Sequence, residues 1–217
     1  MIEIRLEDAA IGSGLGAAVP PLSLAVTPGL PTAIAVETDE RPLLVSMLLG
    51  GRIRPDSGRV LLNSAPVLDG AEAADELRRR TALVDTPFVA EPPAGVSLAL
   101  VVAEEFSYGG LSTSRRAVDR FLARHGLSEY AALPVRALPP TDRVRLFSEL
   151  ALLRPSVEAI IVTSPERHGG RPADWYGALA AIAARGTSVA IVTDAATADI
   201  LVSLGARGSG APVLPES

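Results

Sequence analysis

The sequence predicts an α/β domain: a mostly parallel sheet flanked by helices, antiparallel strands at its start, and an inserted α-helical stretch. Three observations carry this. Residues 33–60, AIAVETDERPLLVSMLLGGRIRPDSGRV, read as a buried strand (Ala33–Val36), a polar turn (Glu37–Arg41) and a short apolar helix (Leu43–Leu49). After the turn RPDSG (Arg54–Gly58) a second strand follows at Arg59–Asn63. Hydrophobic residues make up 48% of the chain and aromatics only 4%. The core is therefore built from Ala, Val, Leu and Ile, as in buried parallel strands covered by helices. From about Asp85 to Pro155 the pattern changes from strand-like to helix-like.

The elements follow in order. Residues 2–8 alternate Ile2, Ile4 and Leu6 with Glu3, Arg5 and Glu7, the pattern of a half-exposed antiparallel strand. Gly12–Ala17 fits a dinucleotide-binding G-x-G-x-x-[GA] pattern, but Pro20 and Pro21 forbid the helix that such a motif must open, which favours a hairpin loop. Leu22–Val26 and Thr32–Val36 are the next strands, separated by Pro28-Gly29. Ala71–Arg80 is a helix whose basic end, Arg78–Arg80, suits its dipole, with a phosphate clamp as the alternative; Thr81–Val84 is a strand.

Pro87, Pro92, Pro93 and Gly95 mark a loop before a helix at Val96–Tyr108. Ser112 or Ser114 caps the next helix, which carries Val118, Phe121 and Leu122 on one face and ends near His125. His125 suits a helix end, with ligation as the other reading. Pro139 and Pro140 open a further helix, and Ala159–Thr163 is an aliphatic strand. Glu166 and His168 suggest either an acid/base pair or, with nothing nearby in sequence to position them, an exposed loop. Arg171–Arg185 is amphipathic and closed by Gly186, and Thr187–Thr193 is a strand. Ile200–Leu204 is ambiguous by pattern, and Ala206–Ser217 is a Gly/Pro-rich tail.

The 217 residues suit one domain with an inserted subdomain, and the mean hydropathy of +0.31 is high for a chain without a membrane span. A formal charge of −5 argues against nucleic acid as a partner. The absence of cysteine excludes disulfides and thiolate metal sites. No apolar run reaches the ~18 residues of a bilayer span. The first residues lack the basic start of a secretion signal, so a cytoplasmic location is expected, peripheral to the membrane where a membrane partner exists. All 20 basic residues are arginine, and glutamine is absent as well.

A strand, tight loop and helix followed by R-P-D-S-G resembles the ATP-binding subunit of ABC transporters, which has a P-loop NTPase-like core. The LARHGLSEYA and RVRL stretches, and AIIVTSP followed by ARGTSVAIVTD, extend the resemblance over residues 2–205. It implies a core at 1–85 and 156–205, a helical subdomain at about 86–155 and a flexible tail at 206–217. Matched without gaps, Val36, Asp39 and Arg41 stand on the phosphate-loop glycines, Pro42 on the lysine, and Leu43 and Leu44 on the Ser/Thr pair. Thr86 stands on the glutamine that senses metal and water. Pro139 and its neighbours replace the signature serine and glycine, Thr163 the metal-binding Asp, Ser164 the catalytic Glu, and Gly170 an aspartate at the dimer seam. Asp194 replaces a histidine at the γ-phosphate. No aromatic precedes Phe88, so the family's adenine platform has no counterpart. With no lysine in the chain, no shift of register supplies a Walker-type lysine. The strand that the family places after its last core helix falls at Ile200–Leu204.

The resemblance therefore implies a degenerate cassette that acts as a structural or regulatory subunit. It would work with a membrane permease, a second ATP-binding subunit, or both, and would need no ATP, Mg2+ or other metal. The permease contact is expected between Thr86 and Gly110, with Phe88, Phe106 and Tyr108 either forming it or forming the core of the helical subdomain. One alternative is weak ATP binding or slow hydrolysis with Arg41 or Arg52 as replacement ligands; another is a soluble homodimeric scaffold.

Overall fold

The computed structural model describes residues 1–37, 40–66 and 71–209. A four-stranded antiparallel sheet has the order β2-β1-β4-β5, from β1 (Ile4–Ile11), β2 (Val19–Val26), β4 (Ser57–Leu62) and β5 (Ala65–Pro66). In register, Ile4 faces Val26 on one side and Leu62 on the other. A five-stranded parallel sheet has the order β6-β7-β8-β3-β9, from β3 (Thr32–Ala35), β6 (Thr81–Val84), β7 (Ala159–Thr163), β8 (Ser188–Thr193) and β9 (Arg207–Gly208).

The period-2 alternation of the parallel strands divides the core in two. Ile34, Ala159, Ile161, Ala190 and Val192 point to one face, where they meet Ile4, Leu6, Leu24, Val26 and Val60 of the antiparallel sheet. Helix α1 (Arg41–Leu49) fills the same layer with Val45, Leu48 and Leu49. Ala33, Val84, Ile160, Val162, Val189 and Ile191 point to the other face. Helices α3 (Leu98–Tyr108), α4 (Arg115–Arg124), α5 (Pro140–Ala151) and α6 (Pro172–Ala184) contribute to that second core, α6 through the fully buried Trp175. Helix α2 (Ala71–Arg80) runs directly into β6, and Arg78 donates to the Gly51 carbonyl. Arg80 pairs with Glu158, so this basic helix end is tied to the protein itself.

Pro20 and Pro21 lie inside β2, an edge strand, opposite the register shift between Ala9 and Ile11, where the ladder is already interrupted. Gly58 of RPDSG has φ +76, and a Cβ there would lie 2.1 Å from the Asp8 carbonyl oxygen, so the close approach of β4 to β1 admits only glycine. Ser114 caps α4, its hydroxyl accepting from the Ala117 amide at 3.4 Å.

Two expectations are corrected here. Ile200–Leu204 is not a strand: α7 runs Ala195–Ser203, with Thr197, Ala198 and Leu201 buried at helical spacing. Residues 206–209 are not tail, because β9 pairs with β3 and Ser209 donates to Ala33. Residues 210–217 lie outside the described residues.

Candidate functional site

In a parallel α/β sheet the backbone turns away at the carboxyl ends of the strands and leaves a crevice there. The ends of β3, β7 and β8, with Pro87 and Phe88 beyond β6, here enclose a cleft of about 830 Å3. Val36 opens its floor and donates to the Thr193 carbonyl at 2.9 Å. Thr38 and Asp39 lie outside the described residues. Pro42 occupies the first turn of α1, where its missing N–H costs no helix bond. Pro42 and Leu43 line the cleft, whereas Arg41 turns its Nε to the Ala18 carbonyl at 3.0 Å. The lining carries four carboxyl groups, from Glu37, Glu40, Glu166 and Asp194, against the Arg167 guanidinium. Burial pushes the Glu166 carboxyl up, and the nearby Asp194 charge adds to this against the hydrogen bond from Thr193.

Under the cleft lies a chain of hydroxyls. Thr163 Oγ1 is 2.8 Å from Ser46 Oγ and 2.7 Å from Thr86 Oγ1, and all three side chains are completely buried. The structure thus joins Thr86 and Thr163, which lie 77 residues apart in the chain. Ser46 escaped sequence reasoning; its one signal is a polar residue amid the apolar run of α1. Ser164 follows in a left-handed conformation, φ 45, and starts the 3-10 turn Pro165–His168. Asp194 caps α7, accepting from the Thr197 amide at 2.7 Å and the Thr197 hydroxyl at 3.0 Å. Pro139 and Pro140 open α5, and neither has an N–H to offer an anion.

Glu166, Arg167 and His168 do not form an exposed loop: all three are half-buried, Glu166 accepting from the Thr193 hydroxyl and Arg167 and His168 held in an ionic cluster. Asp85, at the end of β6, accepts from Arg143 Nε at 2.7 Å and Nη2 at 2.6 Å, a bidentate pair on α5. Its other neighbours are His168 Nε2 at 2.9 Å and Arg167 Nη2 at 3.3 Å. Glu91 pairs with Arg167 at 3.1 Å and lies 3.8 Å from Arg143. Burial would raise the Asp85 carboxyl, but hydrogen bonds from His168 and Arg143 and their charges outweigh it and hold it at about 2. Asp85, Glu91 and His168 offer ligand atoms within 4.8 Å of one another. Two guanidinium groups already neutralise these carboxylates, and a divalent cation would have to displace both.

The aromatic residues singled out in the sequence separate. Phe106 is 5% exposed and meets Phe121 edge-on at 5.2 Å within the core of the helical layer. Phe88 is 97% exposed at the cleft mouth. Tyr108 is exposed on α3, hydrogen-bonded to Glu104 and stacked under Arg154. Arg52 is not free to bind a ligand: it donates to the Gly50 carbonyl and to Thr81, and desolvation, with Arg78 and Arg154 nearby, lowers its guanidinium to about 10. His125 sits at the C-terminus of α4, and its ring lies 4.4 Å from that of Phe121.

A second cavity, about 450 Å3, opens between the loop after β6, α3 and α5, lined by Val89, Pro92, Glu104, Tyr108, Phe147 and Arg154 among others. Among the described residues, no helix is long and apolar enough to cross a membrane.

No family model and no curated protein matches the sequence. Solved structures do match in fold. The cbiO1 protein of Clostridium perfringens, part of the ABC transporter complex cbiONQ, aligns with a TM-score of 0.62 at 18% identity, over 88% of this chain and 78% of its own. A dimeric bacterial ABC transporter cassette aligns at 0.67 and 16% identity, over 91% and 90%. A nucleotide-free ATP-binding cassette of an ABC transporter aligns at 0.66 and 16% identity, over 94% and 85%. The chain has the α/β fold of the ABC transporter ATP-binding cassette.

Proposed function

We propose that this chain is a non-hydrolysing cassette-fold subunit, a structural or regulatory partner of a membrane permease. The observation that carries the reading is the buried Ser46–Thr163–Thr86 chain. A magnesium triphosphate needs a carboxylate for the metal, amide and cationic groups for the phosphates, and a residue to orient the attacking water. At the end of β7 there are instead three neutral hydroxyls engaged with one another. Around them Glu37, Glu40 and Glu166 repel phosphate, and Pro139 and Pro140 lack amide protons. Asp194 is engaged in capping α7. These residues do not fit Mg-ATP, and Ser164 offers no general base.

The likeness to a cassette that is part of a transporter complex, and to a dimeric cassette, supports a permease or a second cassette as partner. The cavity beside α3 is lined in part by the stretch Thr86–Gly110 and supports docking there, with Tyr108 on its wall and Phe88 on the adjoining loop. Titration calorimetry with Mg-ATP tests the first half: no heat of binding is expected, and a Kd tighter than about 1 mM overturns it. Co-purification of the chain with a membrane protein encoded nearby tests the second half. A monodisperse homodimer that leaves that protein behind would favour the scaffold reading instead.

A further inference from the structure

Helix α4 carries Arg116, Arg120 and Arg124 four residues apart, a single stripe along one exposed face. Among the described residues, the ion pairs of this helix are limited to Arg115 with Asp119, at 3.7 Å. Like charges at that spacing weaken a helix. A chain of net charge −5 thus bears an unneutralised cationic stripe at a local cost. Beside the stripe runs a groove of about 500 Å3. Its floor is the edge-on pair Phe106–Phe121 with Leu153, Leu111 stands 44% exposed at its wall, and Arg120 and Arg124 form its rim. The groove shares no lining residue with the cavity assigned above to the permease, and nothing about it rests on the cleft.

We infer that this groove docks an acidic amphipathic helix of a partner protein. Apolar anchors one turn apart would enter the aromatic slot, and carboxylates beside them would meet Arg120 and Arg124. Charge complementarity selects an acidic occupant over a basic one. Shape selects a protein over a membrane: the apolar side chains are recessed in the floor, where an inserting side chain reaches them, whereas interfacial lipid binding needs apolar groups that protrude. Of the large apolar side chains in the lining, Leu111 is exposed while Phe106 and Phe121 are buried.

The test is a random library of roughly 16-residue peptides, long enough to form four helical turns, displayed and selected on the immobilised full chain. Enriched sequences should combine Asp and Glu with large apolar residues three or four apart. The best of them, made synthetically, should bind wild type and lose at least about tenfold in affinity to the Arg120→Glu/Arg124→Glu variant. Arg120→Lys/Arg124→Lys should retain binding, and Leu111→Ser should weaken it. Both arginines are exposed, so the reversed variant keeps its fold, which an unchanged circular dichroism melt verifies. Selection of sequences without acidic enrichment, or binding indifferent to the charge reversal, overturns the inference. So does sedimentation of wild type, but not of the reversed variant, with vesicles of phosphatidylcholine and phosphatidylglycerol, which would assign the stripe to lipid headgroups.

Discussion

Asp85→Asn is the most informative single change in this protein. Asn matches Asp in volume and tolerates the left-handed backbone that Asp85 adopts at φ +53, so the change removes charge and little else. Arg143 is 5% exposed and would lose both of its short charge-assisted bonds, while Arg167 and His168 would lose their shared carboxylate. Removing one partner of a buried ion pair costs about 3–5 kcal/mol. Glu91 remains 3.1 Å from Arg167 and 3.8 Å from Arg143 and compensates in part, which places the cost near 3 kcal/mol. The carboxyl itself gives an independent figure: its displacement from 3.8 to about 2 is worth about 2.5 kcal/mol of folding free energy at neutral pH. Because the folded value is the lower one, this stability is complete above pH 4 and is lost as pH falls towards 2. Urea titrations of wild type and variant, compared at equal m, should therefore differ by about 3 kcal/mol between pH 5 and 7 and converge below pH 4. A difference under about 1 kcal/mol at pH 7, or one that persists unchanged at pH 2.5, refutes the account of the cluster.

Phe106→Ala should cost about 3–5 kcal/mol in the same titration and Phe88→Ala no more than about 0.5, since one is core and the other solvent-facing. Gly58→Ala combines a left-handed backbone with a clash against the Asp8 carbonyl, and a loss of about 2–4 kcal/mol is expected from urea unfolding. Rebuilding the loop as Val36→Gly, Asp39→Gly, Arg41→Gly and Pro42→Lys should create phosphate affinity measurable by calorimetry without ATP turnover, because Thr163 and Ser164 still supply neither metal ligand nor base. Failure of that loop to bind, in a variant shown to be folded, counts against the match of this stretch to a phosphate loop.

Most of the sheet was legible because its signals are local. Thr81–Val84 and Ala159–Thr163 are short aliphatic runs bounded by charge or proline, and α2 ends at the same arginine in sequence and structure. The run Ile200–Leu204 misled for a physical reason: a short apolar segment fits a buried strand and a buried helix face equally well. A cap signal was present upstream, where Asp194 stands three residues before Thr197, whose amide it accepts. The ionic cluster carried no such local signal. Arg143 sits in the charged run Asp142–Arg145 and reads as a solvated face, yet its partner Asp85 lies 58 residues away. Arg167 bonds to the Asp85 backbone carbonyl across 82 residues. Polar partners at such separations follow from topology and leave no periodic trace.

The two polar clusters explain how the strand ends are joined to the helices around them. Strand ends that converge on a crevice leave polar groups which must find partners, since a buried unpaired hydroxyl costs about 1–3 kcal/mol and a buried unpaired charge more. Here Thr163 lies between Ser46 and Thr86, and Asp85 between Arg143, Arg167 and His168. The pairs span α1, the loop after β6, the turn after β7 and the start of α5, so the walls of the crevice are bonded to one another. The hydroxyl chain and the Asp85 cluster thus tie the strand ends to α1 and α5, while one guanidinium nitrogen of Arg167, at the cleft, stays buried without a partner.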